Sequence, residues 1–252
     1  MLRKGTTRQP SPRTFPVFMT SAVMAASISG SSAAGLVSLY ADAYFVQEGG
    51  QLFSVIDLYA DLPSLTYQVA GVAGDVRLLG GSTWFHADAQ GSCPNGGTWL
   101  PAITSVTHPL ADSFVTIGSP LFGLPNATVL APPFIDDPAC SSFLGTGAGW
   151  ANGYPPGFQG YATDITLHDG SQLLSATMLG RFSIAGLPAN GAALTLQSFT
   201  IGYNFASTPP EVVVFDQATF SYVPAPAALC VLGGCVLRSG RRRRAVPTLG
   251  QP

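Results

Sequence analysis

His86-Ala87-Asp88 and His168-Asp169 each set an imidazole beside a carboxylate in this 252-residue chain. Such a neighbour orients a general base or completes a ligand set when folding brings the two groups together. The third histidine is His108; nothing in the spacing brings the groups together, and strand-end or turn positions account for all three. Asp136-Asp137, with Asp112 or Asp164, could build an oxygen cage for Ca²⁺, although no EF-hand-like loop or glycine-aspartate repeat accompanies them. Glycoside hydrolysis needs two carboxyl groups at a set separation. Glu48 and Glu211 are the only glutamates, each beside a turn or strand start, and no aspartate pair is singled out.

Other chemical signatures are missing from the sequence. There is no phosphate-binding loop, dinucleotide fingerprint, His-Glu-x-x-His motif or nucleophile elbow. Gly145-Thr146-Gly147-Ala148-Gly149 opens no helix that would offer amides to a phosphate, and it reads as a turn. Trp99, Trp150, Tyr154, Phe158 and Tyr161 could stack on sugar faces if exposed, or plug a core beneath long loops. No catalytic, cofactor-binding or metal-ligating residue is assigned, and the expectation is a non-catalytic protein.

The elements that would position these groups are strands. From Leu36 to Val46, Val37, Leu39, Ala41, Ala43 and Phe45 alternate with Ser38, Tyr40, Asp42 and Tyr44, as in an antiparallel strand with one wet face. After the turn at Glu48-Gly49-Gly50, the segment from Gln51 to Leu62 puts Leu52, Ile56, Leu58, Ala60 and Leu62 on one face and Asp57, Tyr59 and Asp61 on the other. The two read as a hairpin. Leu39-Tyr40-Ala41-Asp42 recurs as Leu58-Tyr59-Ala60-Asp61, but without a third copy it is shared strand chemistry and no repeat architecture.

Val69–Leu79 and Thr83–Ala87 are weaker strand signals. Residues 91 to 160 hold ten prolines and eleven glycines, which makes long regular elements there improbable; short strands are expected at Asp112–Ile117 and Ala127–Ala131. Strong patterns return at Tyr161–Leu167, Gln172–Ala185, Ala193–Phe205 and Glu211–Val223. Asp169-Gly170 and Asn190-Gly191 are turn dipeptides between them, and Gly202 marks a bulge or bend. The expected fold is all-β, a β-sandwich of jelly-roll kind with a long Gly/Pro-rich loop region, and an immunoglobulin-like sandwich is the alternative.

Charge is distributed unevenly. Four of the eleven basic residues precede residue 35 and five follow residue 223, leaving Arg77 and Arg181 against all thirteen acidic residues. The middle segment, 35–223, therefore carries a formal charge of −11 and no lysine. It would repel nucleic acid and anionic lipid and attract cations such as Ca²⁺. Cys93 and Cys140 are 47 positions apart within this segment. In an exported chain such a pair reads as a disulfide, worth about 4 kcal/mol by loop closure; two buried free thiols are the alternative.

Both ends carry transport features. Arg3, Lys4, Arg8 and Arg13 precede an apolar stretch from Phe15 to Ile28 and the small residues Ser29 to Ala34, the order of a secretory signal peptide with cleavage expected after Ala34. At the other end, Val223-Pro224-Ala225-Pro226 interrupts the last strand pattern. Ala227 to Leu237 is an apolar run of eleven residues, about 16 Å as a helix against a bilayer core of about 30 Å. Arg238 and Arg241-Arg242-Arg243-Arg244 follow, and a basic cluster of this kind stays cytoplasmic.

Proline motif, apolar helix and arginine cluster in this order resemble the PEP-CTERM sorting signal of secreted bacterial proteins. Ala225 stands where that family usually has glutamate, and residues 245–252 trail the arginines where it usually stops. The resemblance covers only about the last tenth of the chain, and it implies recognition by a membrane exosortase through Val223, Pro224, Pro226, Arg241, Arg242, Arg243 and Arg244. A stop-transfer anchor, or a basic tail that binds nucleic acid or anionic lipid, would use the same residues. The expected organisation is a signal peptide over 1–34, a β-sandwich over 35–223 and a sorting tail over 224–252. The expected role is structural or adhesive at the cell surface or in the extracellular matrix. A carbohydrate-binding module is the alternative, with extracellular polysaccharide as partner, and a secreted hydrolase a third reading.

Overall fold

The computed structural model describes residues 37–80, 84–86, 99, 110–118, 127–131, 148–154, 159–188, 191–205, 209 and 211–222. Ten strands and no helix are found there: β1 Ser38–Glu48, β2 Gln51–Asp61, β3 Tyr67–Leu79, β4 Phe114–Val115, β5 Thr128–Leu130, β6 Gly149–Asn152, β7 Thr163–Thr166, β8 Gln172–Ala185, β9 Ala193–Phe205 and β10 Glu211–Ser221. They form two antiparallel five-stranded sheets. The first sheet runs β1-β2-β8-β4, with β7 also on β8, and the second runs β10-β9-β3-β6-β5.

This is the all-β, two-sheet sandwich that the alternating patterns predict. Ile56, Leu58 and Phe182 of the first sheet meet Val72, Val76, Leu196, Phe199 and Ile201 of the second in one continuous core. Fully burying such side chains contributes about 1.5–3 kcal/mol each. Trp84, Trp99 and Trp150 belong to the same core.

Several elements follow the sequence closely. The β1–β2 hairpin pairs Glu48 with Gln51 across Gly49-Gly50, both at positive φ (57° and 81°), as a turn of two glycines permits. β8 and β9 have the expected bounds. Gly202 stands opposite an irregularity in β3, where the register shifts between Val69 and Gly71. β6 lies inside the glycine- and proline-rich region and gives no periodic signal of its own. Gly149 permits it, since a Cβ there would sit 2.9 Å from the Val72 carbonyl oxygen. Trp84–His86, part of an expected strand, is not strand, yet the Phe85 amide bonds the Ser183 carbonyl at 2.8 Å.

One expectation is overturned. The face of β1 and β2 that carries Tyr40, Asp42, Tyr44, Asp57 and Tyr59 is not wet: Asp42, Tyr44, Asp57 and Tyr59 are all buried. Two small apolar clusters cover it. Tyr44, Phe53, Val55 and Ala111 gather at one end, with Phe85 and Val46 against them. At the other end Tyr59, Phe114, Leu167, Ala176 and Met178 gather with Tyr40, Ile165 and Leu173. The first sheet is thus packed on both faces.

Candidate functional site: a charged row under the first sheet's outer cover

Between those two clusters runs a single cross-strand row. Asp42 of β1 lies opposite Asp57 of β2, Asp57 opposite Arg181 of β8, and Arg181 opposite Phe114 of β4. Two carboxylates directly across from one another repel, and burial sharpens the cost. Each is therefore met by its own donors.

Arg181 grips Asp57 through two parallel bonds, Nε to Oδ1 at 2.7 Å and Nη2 to Oδ2 at 2.8 Å. Its third nitrogen, Nη1, donates to the Leu110 carbonyl at 3.0 Å, and its guanidinium lies 5.5 Å from the centre of the Phe114 ring. The Tyr44 hydroxyl donates to Asp57 Oδ2 at 2.9 Å. Burial and then the Asp57 charge raise the Tyr44 pKa well above the ordinary phenol value, which keeps the proton this bond needs. Tyr59 is raised by the same two causes. Burial opposes the Arg181 charge, but the charge and hydrogen bonds of Asp57, with Tyr44 and Tyr59 adding to them, together outweigh it and the guanidinium's pKa is raised.

Asp42 is met by the turn between β7 and β8. Its Oδ2 accepts from the His168 backbone amide at 2.9 Å and lies 3.0 Å from His168 Nδ1. The imidazole stacks on Tyr44, ring centroids 3.3 Å apart and planes 15° from parallel. Asp42 is fully buried while the His168 side chain is 45% exposed. Asp42 Oδ1 is buried with no hydrogen-bond donor among the described residues. A carboxylate on Nδ1 fixes the ring's orientation, so the pair has the form of an orienting dyad. Across the row, Glu48 accepts from the Leu110 and Ala111 amides at 3.1 Å each, tying the covering loop to the hairpin.

His168 thus finds its carboxylate in Asp42, 126 positions away. Its sequence neighbour Asp169 instead accepts from the Ser171 hydroxyl and amide, which lowers the Asp169 pKa. His86 is half-buried and edge-on to Trp99, 4.3 Å between centroids; Asp88 and His108 lie outside the described residues.

Of the residues considered for Ca²⁺, Asp112 is buried and exposed Asp164 accepts from the Ser175 amide at 3.3 Å. Asp136 and Asp137 fall outside the described residues. Among the described residues no group of three or more His, Cys, Asp or Glu side chains could hold a metal ion. Glu211 accepts from the Tyr203 hydroxyl at 3.0 Å and opens β10 in the second sheet, whereas Glu48 closes β1 in the first.

Trp99 and Trp150 are buried, and the Trp150 indole donates to the Thr116 carbonyl at 2.9 Å. Tyr154, by contrast, is exposed. Phe158, the pair Cys93 and Cys140, and all the sorting-signal residues from Val223 through Pro224 and Pro226 to Arg241, Arg242, Arg243 and Arg244 lie outside the described residues.

Sequence reasoning missed the charged row because it treated Asp42 and Asp57 as solvated. Two signals were present. The polar positions of β1 and β2 are tyrosine and aspartate, with no lysine and few small hydroxyls. Arg181 also stands alone in the run Met178-Leu179-Gly180-Arg181-Phe182, and a lone arginine in a strand that apolar calls for a buried partner.

Comparison with known proteins finds no matching family model, curated protein or solved structure. Among the described residues no helix is long and apolar enough to cross a membrane.

Proposed function

We propose that this chain is an exported protein of the cell surface or extracellular matrix, with a non-catalytic structural or adhesive role, sorted through its C-terminal segment by an exosortase-type enzyme. The segregation of basic residues carries this reading. Nine of eleven lie in the two terminal segments, beside apolar runs, and the lysine-free middle bears −11. Basic flanks of short apolar stretches are transport features, whereas a surface charge of one sign favours a soluble body that rejects nucleic acid.

The all-β body supports the same reading. Its two arginines, Arg77 and Arg181, both pair with aspartates of their own sheet. The charged row ties a turn and a loop to the strands, which suits a rigid module. The Asp42–His168 dyad is the group with the form of catalytic chemistry, and in this reading it fastens the β7–β8 turn.

Peptide mass mapping of the protein from its native cell tests the proposal. The mature form is expected to begin after Ala34 and to lack Arg241 to Arg244. A mature form that retains Arg244 counts against sorting by cleavage, and one that also retains the leader overturns the proposal as a whole.

A further inference from the structure

We draw no further inference here: the strongest candidate, the uncovered outer face of the second sheet where Val212 and Val214 of β10 and Val129 of β5 are exposed, is an unpartnered apolar face, and nothing in the structure shows what covers it.

Discussion

The two arginines of the middle segment occupy opposite settings. Arg181 lies under the cover of the first sheet, its side chain 16% exposed, with two bonds to an aspartate that is 3% exposed. Arg77 lies on the outer face of the second sheet, 40% exposed, with a bond of 3.1 Å to Asp75, itself 15% exposed, two positions earlier on the same strand. The faces around them differ in the same way. Loop residues 110–113 and the β7–β8 turn close over one, whereas Ala73, Ala151, Val129, Val212 and Val214 leave the other open. An identical pair of residue types is therefore a doubly bonded, buried tie in one place and a contact with a half-exposed arginine in the other. The exposure of the arginine separates them, since an ion pair that water reaches is worth less than one buried on both sides.

Substitutions that separate the two settings follow in order of expected size. Arg181→Met leaves Asp57 buried without its cation and should cost about 3–5 kcal/mol, read as a fall in the urea midpoint with an unchanged slope. Tyr44→Phe removes one bond to the charged Asp57 and the ring's polar tip while keeping its stack on His168. A loss of about 1.5–3 kcal/mol in the same urea titration is expected, and a loss below that range would place Asp57 in better contact with water than its burial indicates. Arg77→Met, on the open face, should move the midpoint by no more than about 1 kcal/mol. A cost equal to that of Arg181→Met would erase the distinction between the faces.

The smallest effect concerns pH. Burial raises the Asp61 pKa above its ordinary 3.8, with the Ser38 hydroxyl partly opposing. A carboxyl with a raised folded pKa contributes stability that is present below the unfolded value and lost as pH rises through the folded one. Asp61→Asn abolishes that titration. Denaturation measured from pH 3.5 to 7 should show wild type losing a small increment relative to the variant as pH rises past 3.8. A relative gain by wild type over that interval would reverse the assignment.

Much of the fold was legible from alternation alone. β1, β2, β8, β9 and β10 all carry period-two patterns long enough to identify, and Gly49-Gly50 marks their first turn. β6 was not legible, because four residues with Trp150 turned inward and Ala151 outward are too few for a period. The site was less legible than the fold. Alternation separates two faces of a strand but does not say that the second face is also covered, and among the described residues the cover includes Phe85, Leu110, Ala111, Leu167 and His168, none of them in a strand. Similarly, Tyr40 and Tyr59, which open the repeated Tyr-Ala-Asp, prove to be cross-strand partners. The antiparallel register otherwise sets Asp42 against Asp57 and Asp61 against Ser38, so the direct repeat is shared strand chemistry and not a pairing pattern.

A double-mutant cycle on Asp57 and Arg181, with Asp57→Leu, Arg181→Met and the two combined, tests the buried tie most directly. A coupling of about 2–3 kcal/mol is expected, with the double variant recovering much of the stability lost in either single one. A coupling below about 0.5 kcal/mol, the size of a solvated surface pair, would contradict it.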